Sequence, residues 1–121
     1  EKTKARDRQR RQKRRLRNNI SVHIAGRLRE GGSSKGGYSF EKLVGWKIDE
    51  LRVHLERQFT RKMNWENYGS YWEVDHIIPY VTFGITSPDS DEFRAAWALT
   101  NLRPLYKVEN RSRGGRREHL L

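Results

Sequence analysis

Cysteine is absent from this 121-residue sequence. That excludes a disulfide framework and any thiolate zinc site, and it fits a reducing compartment. Apolar residues are also scarce, at 34%, so the core must be modest and part of the chain is expected to be extended. No apolar run is long enough to span a membrane, and there is no signal-peptide core. No segment repeats itself. The chain opens on Glu1 rather than Met, as a trimmed or partial chain would. Its length suits one small domain.

Positive charge, by contrast, is plentiful and unevenly placed. The net charge is +11. Residues 1–17 carry ten Lys/Arg against two acids, and residues 111–121 carry four Arg against one Glu. Residues 18–110 hold twelve basic and twelve acidic residues. The surplus therefore lies at the two ends, around an electrically balanced body. Basic ends of this kind suit a polyanion, nucleic acid being the commonest, although a solvated or targeting tail has the same composition.

The stretch "EKTKARDRQRRQKRRLRNN" has almost no apolar residue before Leu16, so it cannot bury itself in a core alone. With few helix breakers it could become helical against a phosphate backbone. Ile20, Ile24 and Leu28 then recur every four residues, which predicts a helix from about Arg14 to Glu30, ended by Gly31 and Gly32. "GGSSKGG" reads as a flexible joint. Ser39 is placed to cap a short helix that Gly45 breaks, and Ile48, Leu51, Leu55 and Phe59 form the apolar stripe of a second. Trp65, Tyr68 and Tyr71 lie in a loop and are expected to pack on that helix rather than stack on bases. "YWEVDHII" and "NLRPLY" read as strands, with Pro104 suggesting an edge. Between them "DEFRAAWAL" predicts a short helix, and "KVENRSRGG" a last one closed by Gly114. Two units follow: residues 1–37 as basic arm, helix and joint, and residues 38–121 as the main domain. Within the latter, 38–71 form a helical lead-in, 72–115 the core motif and 116–121 a basic tail.

One dipeptide does not belong where it stands. Asp75 and His76 sit side by side inside an apolar strand, "WEVDHIIP". Neighbours in a regular strand point to opposite faces, so the two can serve one site only if the pleat ends there. Downstream, Asn101 opens the second strand and Asn110 lies on the last helix. Taken singly, each is an ordinary turn or surface residue. Glu73 shares a strand face with Asp75 and is a candidate supporting group. His23, His54 and His119 have no partner at zinc-ligand spacing, and Asp89, Asp91 and Glu92 read as a solvated helix start.

In order and at these spacings, "VDHIIP", "TNLRPLYKVEN" and "NRSRG" resemble the HNH endonucleases, over roughly residues 72–115. The lead-in "LVGWKIDELRVHLERQFTRKMNWENYG" is similar to that of phage and prophage members. The resemblance implies an α+β fold with a ββα-metal motif, an N-terminal helical extension and basic arms. It implies Asp75 and Asn110 as metal ligands, His76 as the general base that activates water, and Asn101 as the residue that holds His76 in place. Arg111 and Arg113 fall where the family often carries phosphate contacts. With two oxygen ligands, one of them neutral, the implied ion is Mg²⁺, with Mn²⁺ also suitable. The implied products carry a 5′-phosphate and a 3′-hydroxyl. Many relatives hold a structural zinc on two Cys pairs; here Trp72, Phe83, Phe93, Trp97 and the upstream helix must hold the motif instead.

The expected partner is DNA, double-stranded in the first instance, gripped by Arg8, Arg10, Arg11, Lys13, Arg14, Arg15, Arg17 and the two downstream arginines. Such runs position a protein on phosphates without specifying sequence. No membrane partner is expected. A phage or prophage origin would place the protein in the bacterial cytoplasm, with packaging or other phage proteins as further partners. The rival expectation is a catalytically inert basic nucleic-acid-binding protein.

Overall fold

The structure, a computed structural model, describes residues 2–108. Asn110, Arg111, Arg113, the helix end at Gly114 and the basic tail lie outside the described residues.

Helix α1 runs unbroken over Lys2–Glu30. This corrects the expectation of an extended arm that turns helical only at Arg14. Ala, Arg, Lys and Gln are all good helix formers, and no Gly or Pro interrupts them before Gly26. Packing also ties down the turn just before the expected start. Gln12 donates to Glu66 (3.3 Å), Lys13 pairs with Asp49 (2.9 Å), and the Arg15 guanidinium lies 5.4 Å from the centre of the Tyr68 ring. The helix closes with crossed backbone bonds, Ser33 N–H to the Leu28 carbonyl (2.7 Å) and Gly32 N–H to that of Arg29 (3.0 Å). Gly32 adopts the left-handed φ of 79° that this closure requires.

Helix α2, Phe40–Val44, starts after Ser39 and stops at Gly45, whose φ is 83°. The Ser39 side chain makes no capping bond. Helix α3, Ile48–Glu56, ends three residues short of Phe59. Glu41 accepts from the Ile48 N–H at 2.9 Å, so a side chain of α2 caps α3. Phe59, though beyond the helix, still packs inward on Trp65 and Trp72, with ring centres 5.4 and 5.0 Å away. Trp65 and Tyr68 join the same cluster around Trp72, as expected of packing aromatics. Trp72 is fully buried and donates its indole N–H to the Asn64 carbonyl at 2.7 Å.

Strands β1 (Trp72–His76) and β2 (Leu102–Tyr106) pair antiparallel, Asp75 opposite Arg103 and His76 opposite Leu102. Between them come a 3₁₀ turn at Tyr80–Phe83, helix α4 at Asp91–Ala96 and a second 3₁₀ turn at Leu99–Asn101. The Ser90 hydroxyl caps α4 by accepting from Phe93 N–H (3.1 Å), and Asp91 and Glu92 occupy its first turn. The Ser87 hydroxyl, bonded to Asp89, holds that carboxyl below its ordinary range.

The fold is thus α+β, helices around a small two-stranded antiparallel sheet. One hydrophobic cluster joins Leu16, Ile20, Ile24 and Leu28 of α1 to Leu51, Trp72, Phe93 and Trp97. The core therefore crosses the boundary expected at residue 37, and α1 is part of it. Trp46 reinforces the join by donating to the Trp97 carbonyl at 2.7 Å. Among the described residues no helix is long and apolar enough to cross a membrane.

Candidate functional site

Four polar or charged residues are buried among those described: Glu73, Asp75, His76 and Asn101. They share one place, the end of β1 and the approach to β2. Burying polar groups is costly unless each is held by partners, so the packing around them shows what the fold maintains there.

Asn101 is the best defined. Its Oδ1 accepts from the Ile78 N–H (2.8 Å), and its Nδ2 donates to the carbonyls of Ile78 (3.1 Å) and Ala96 (2.9 Å). Its backbone carbonyl accepts from the Ile77 N–H (2.8 Å). Asn101 thus fastens the two residues after His76, Ile77 through its backbone and Ile78 through its side chain, to the end of α4. Strand pairing stays regular through His76 and gives way only at Ile77, so the pleat does not end at the pair as a single shared site was expected to require; Asn101 forms the clasp just beyond it.

The pleat separates Asp75 from His76. Asp75, fully buried, takes the Arg103 Nε on Oδ2 at 2.9 Å. Glu73, two residues earlier, faces Lys107 at 3.4 Å. One side of β1 therefore carries two carboxylates and their two cations. His76, 1% exposed, lies on the other side with Trp72 and Val74. Its ring meets Trp97 edge-on, centres 4.5 Å apart at 78°, with Tyr80 at 6.0 Å. Arg27 of α1 lies 5.3 Å from the Tyr80 ring, and burial pushes the Tyr80 phenol up despite that cation.

Of the candidate residues, the fold brings Asp75, His76 and Asn101 to one strand end. Asn110, Arg111 and Arg113 fall beyond the described residues. Arg8, Arg10, Arg11, Arg14, Arg15 and Arg17 are exposed on α1, and Lys13 is engaged with Asp49. Sequence reasoning missed Arg103 and did not see Trp97 as the wall behind His76. No local motif marks Arg103; it becomes visible only once the register sets it opposite Asp75. His54 also proves structural, its Nε2 2.8 Å from the Leu102 carbonyl.

For a metal, the relevant donor is Asp75. A carboxylate suits a hard cation, but one of its oxygens is already shared with Arg103. No group of three or more His, Asp or Glu able to hold an ion occurs among the described residues.

No family model matches the chain, and no solved structure matches it. It is similar to two uncharacterized proteins of Acanthamoeba polyphaga mimivirus. One is 39% identical over 80 residues, 64% of this chain and 34% of that protein. The other is 26% identical over 100 residues, 83% of this chain and 43% of that protein. The chain thus spans between a third and a half of the length of the relatives it matches.

Proposed function

We propose that this chain is an HNH-type, ββα-metal nuclease unit that hydrolyses DNA phosphodiester bonds. The observation that carries the reading is the Asn101 clasp. A buried amide spends three hydrogen bonds on fixing the residues that follow an Asp-His pair at a strand end. This agrees with the positioning part that the resemblance gives Asn101, acting on the backbone that follows His76. The ordered motif pieces and the exposed arginines of α1 add to it.

In this reading His76 takes the proton from the attacking water, and Trp97 and the clasp set its ring. Asp75 and Asn110 would hold a divalent ion, Mg²⁺ or Mn²⁺, which supplies charge relief at the phosphate. Arg103 fixes the Asp75 carboxylate from behind. Arg111 and Arg113, with Arg8, Arg10, Arg11, Arg15 and Arg17 of α1, would contact phosphates.

A second reading rests on a specific observation. His76 and Asp75 are both buried on opposite sides of a strand that stays regular through His76, and Asp75 is already paired with Arg103. Those contacts suit an inert basic nucleic-acid-binding protein that retains a nuclease-like frame. Supercoiled plasmid incubated with Mg²⁺, with and without EDTA, separates the two. The nuclease converts it to nicked or linear forms, EDTA stops this, and His76→Ala abolishes cutting while DNA binding persists. A wild-type protein that binds the plasmid yet leaves it supercoiled with Mg²⁺ and with Mn²⁺ refutes the nuclease.

A further inference from the structure

Successive residues of an α-helix turn by about 100°, and that period sorts the first half of α1 into four rows. Ala5, Gln9, Gln12 and Leu16 form the inward row. Leu16 is fully buried, and Ala5, Gln9 and Gln12 line a cleft against Phe59 and Trp65. Lys4, Arg8, Arg11 and Arg15 form a second row, on the side of Trp65 and Tyr68, where Arg11 and Arg15 line a smaller cleft. Arg6, Arg10, Lys13 and Arg17 form a third, on the side of Asp49 and Arg52. The two basic rows have the same spacing of four, three and four residues. They flank a fourth row that points away from the body, Thr3, Asp7, Arg14 and Asn18, of which Thr3, Arg14 and Asn18 are exposed.

We propose that α1 is a recognition helix for the major groove of double-stranded DNA, its two basic rows resting on the opposite phosphate walls and its outward row facing the base edges. This inference rests on the nucleic-acid part of the reading above and not on catalysis. The dimensions agree. A helix with its side chains is about 10–12 Å across, and the groove of B-form DNA is about 12 Å wide. Each basic row spans about 16 Å of helix, close to five base pairs at about 3.4 Å each. A helix gripping one phosphate strand would need one cationic side; here both flanks are cationic and the face between them, with Asp7 and Arg14, carries no net charge. That face carries the side chains that read bases: Arg for guanine, Asn for adenine, Asp for cytosine and the Thr methyl for thymine. A-form RNA has a deep, narrow major groove that excludes a helix, so a helix seated in this way selects DNA over RNA.

Binding of the full chain to duplex DNA in EDTA, followed by fluorescence anisotropy against salt, tests this without any cutting. Replacing Lys4, Arg8, Arg11 and Arg15 by Gln is expected to flatten the log–log salt slope by about 3–4, from about 0.9 per lost phosphate. Replacing Arg6, Arg10 and Arg17 of the other row, with Lys13 left on Asp49, is expected to flatten it by about 2–3. Gln keeps the helix, which far-UV circular dichroism verifies. Selection from a random duplex library with the wild-type chain is expected to enrich a site of about five base pairs, the length set by the rows. Arg14→Lys, which keeps charge but loses the planar fork, and Asn18→Ala should each relax one position by about 5- to 150-fold. An effect confined to one row, no enriched site, or equal competition by double-stranded RNA or single-stranded DNA overturns the groove assignment. A protein that selects a site but never cuts plasmid keeps this inference and loses the nuclease; one that cuts without selecting does the reverse.

Discussion

Asn101→Ala is the most informative single change. It removes three side-chain bonds and leaves the Ile78 N–H and two carbonyls without the amide. Ile78 is 49% exposed, so water can replace both of its bonds, and each is worth about 1 kcal/mol. Ala96 is fully buried, so its carbonyl bears most of the cost of an unmet acceptor, about 1–3 kcal/mol. The total is roughly 3–5 kcal/mol, a large share of the about 5–15 kcal/mol of a typical domain. In urea titration, with a slope of about 1.5–2 kcal/mol per molar, the midpoint should fall by about 2 M while the slope stays constant. Asn101→Asp is expected to be worse near neutral pH, since a carboxylate can accept from Ile78 but cannot donate to either carbonyl. Part of that loss should return on acidification, when the protonated acid regains a donor. If Asn101→Ala moves the midpoint by less than about 0.5 M, the clasp is not holding the loop, and the argument for His76 positioning fails with it. Where the variant remains folded, plasmid cutting should drop at least tenfold with little change in DNA affinity.

Trp97→Ala should cost about 3–5 kcal/mol, because Trp97 is fully buried and forms the wall behind His76; a loss under about 1 kcal/mol in urea titration contradicts the packing described. Burial pushes the Tyr68 phenol up to about 12, against a lowering by the Asn19 hydrogen bond and Arg15. A raised folded value stabilises fully below the unfolded value near 10 and is lost as pH rises toward about 12. The protein should therefore lose about 2–3 kcal/mol across that window, and Tyr68→Phe should remove that alkaline limb in melts at stepped pH. Gly45→Ala should cost about 1 kcal/mol of stability from backbone strain alone, since φ is 83° and an added Cβ meets nothing within 4 Å; a neutral effect on the thermal midpoint disproves it. Deleting residues 1–17 should both weaken DNA binding and lower the melting temperature, because Leu16 is fully buried; an unchanged melt shows that α1 is not part of the core.

Local pattern determined a good deal. The every-fourth-residue stripe of Ile20, Ile24 and Leu28, the stop at Gly45 and the two strands around "VDH" and "NLRPL" are consequences of side-chain period and backbone preference. These act within a few residues and can be read from a string. The charge surplus at the N-terminus was equally legible, yet its form was not. Helix propensity favoured α1 from the start, but what seats its turn at Gln12–Arg15 is Asp49, Glu66 and Tyr68, some 35 to 55 residues away. The shape of the site was likewise decided by tertiary structure. That Asp75 meets Arg103, that His76 lies on Trp97, and that Asn101 ties Ile78 to Ala96 all depend on strand register and on where α4 docks. Register and docking are set by the summed burial of the whole core, and no local segment contains that sum.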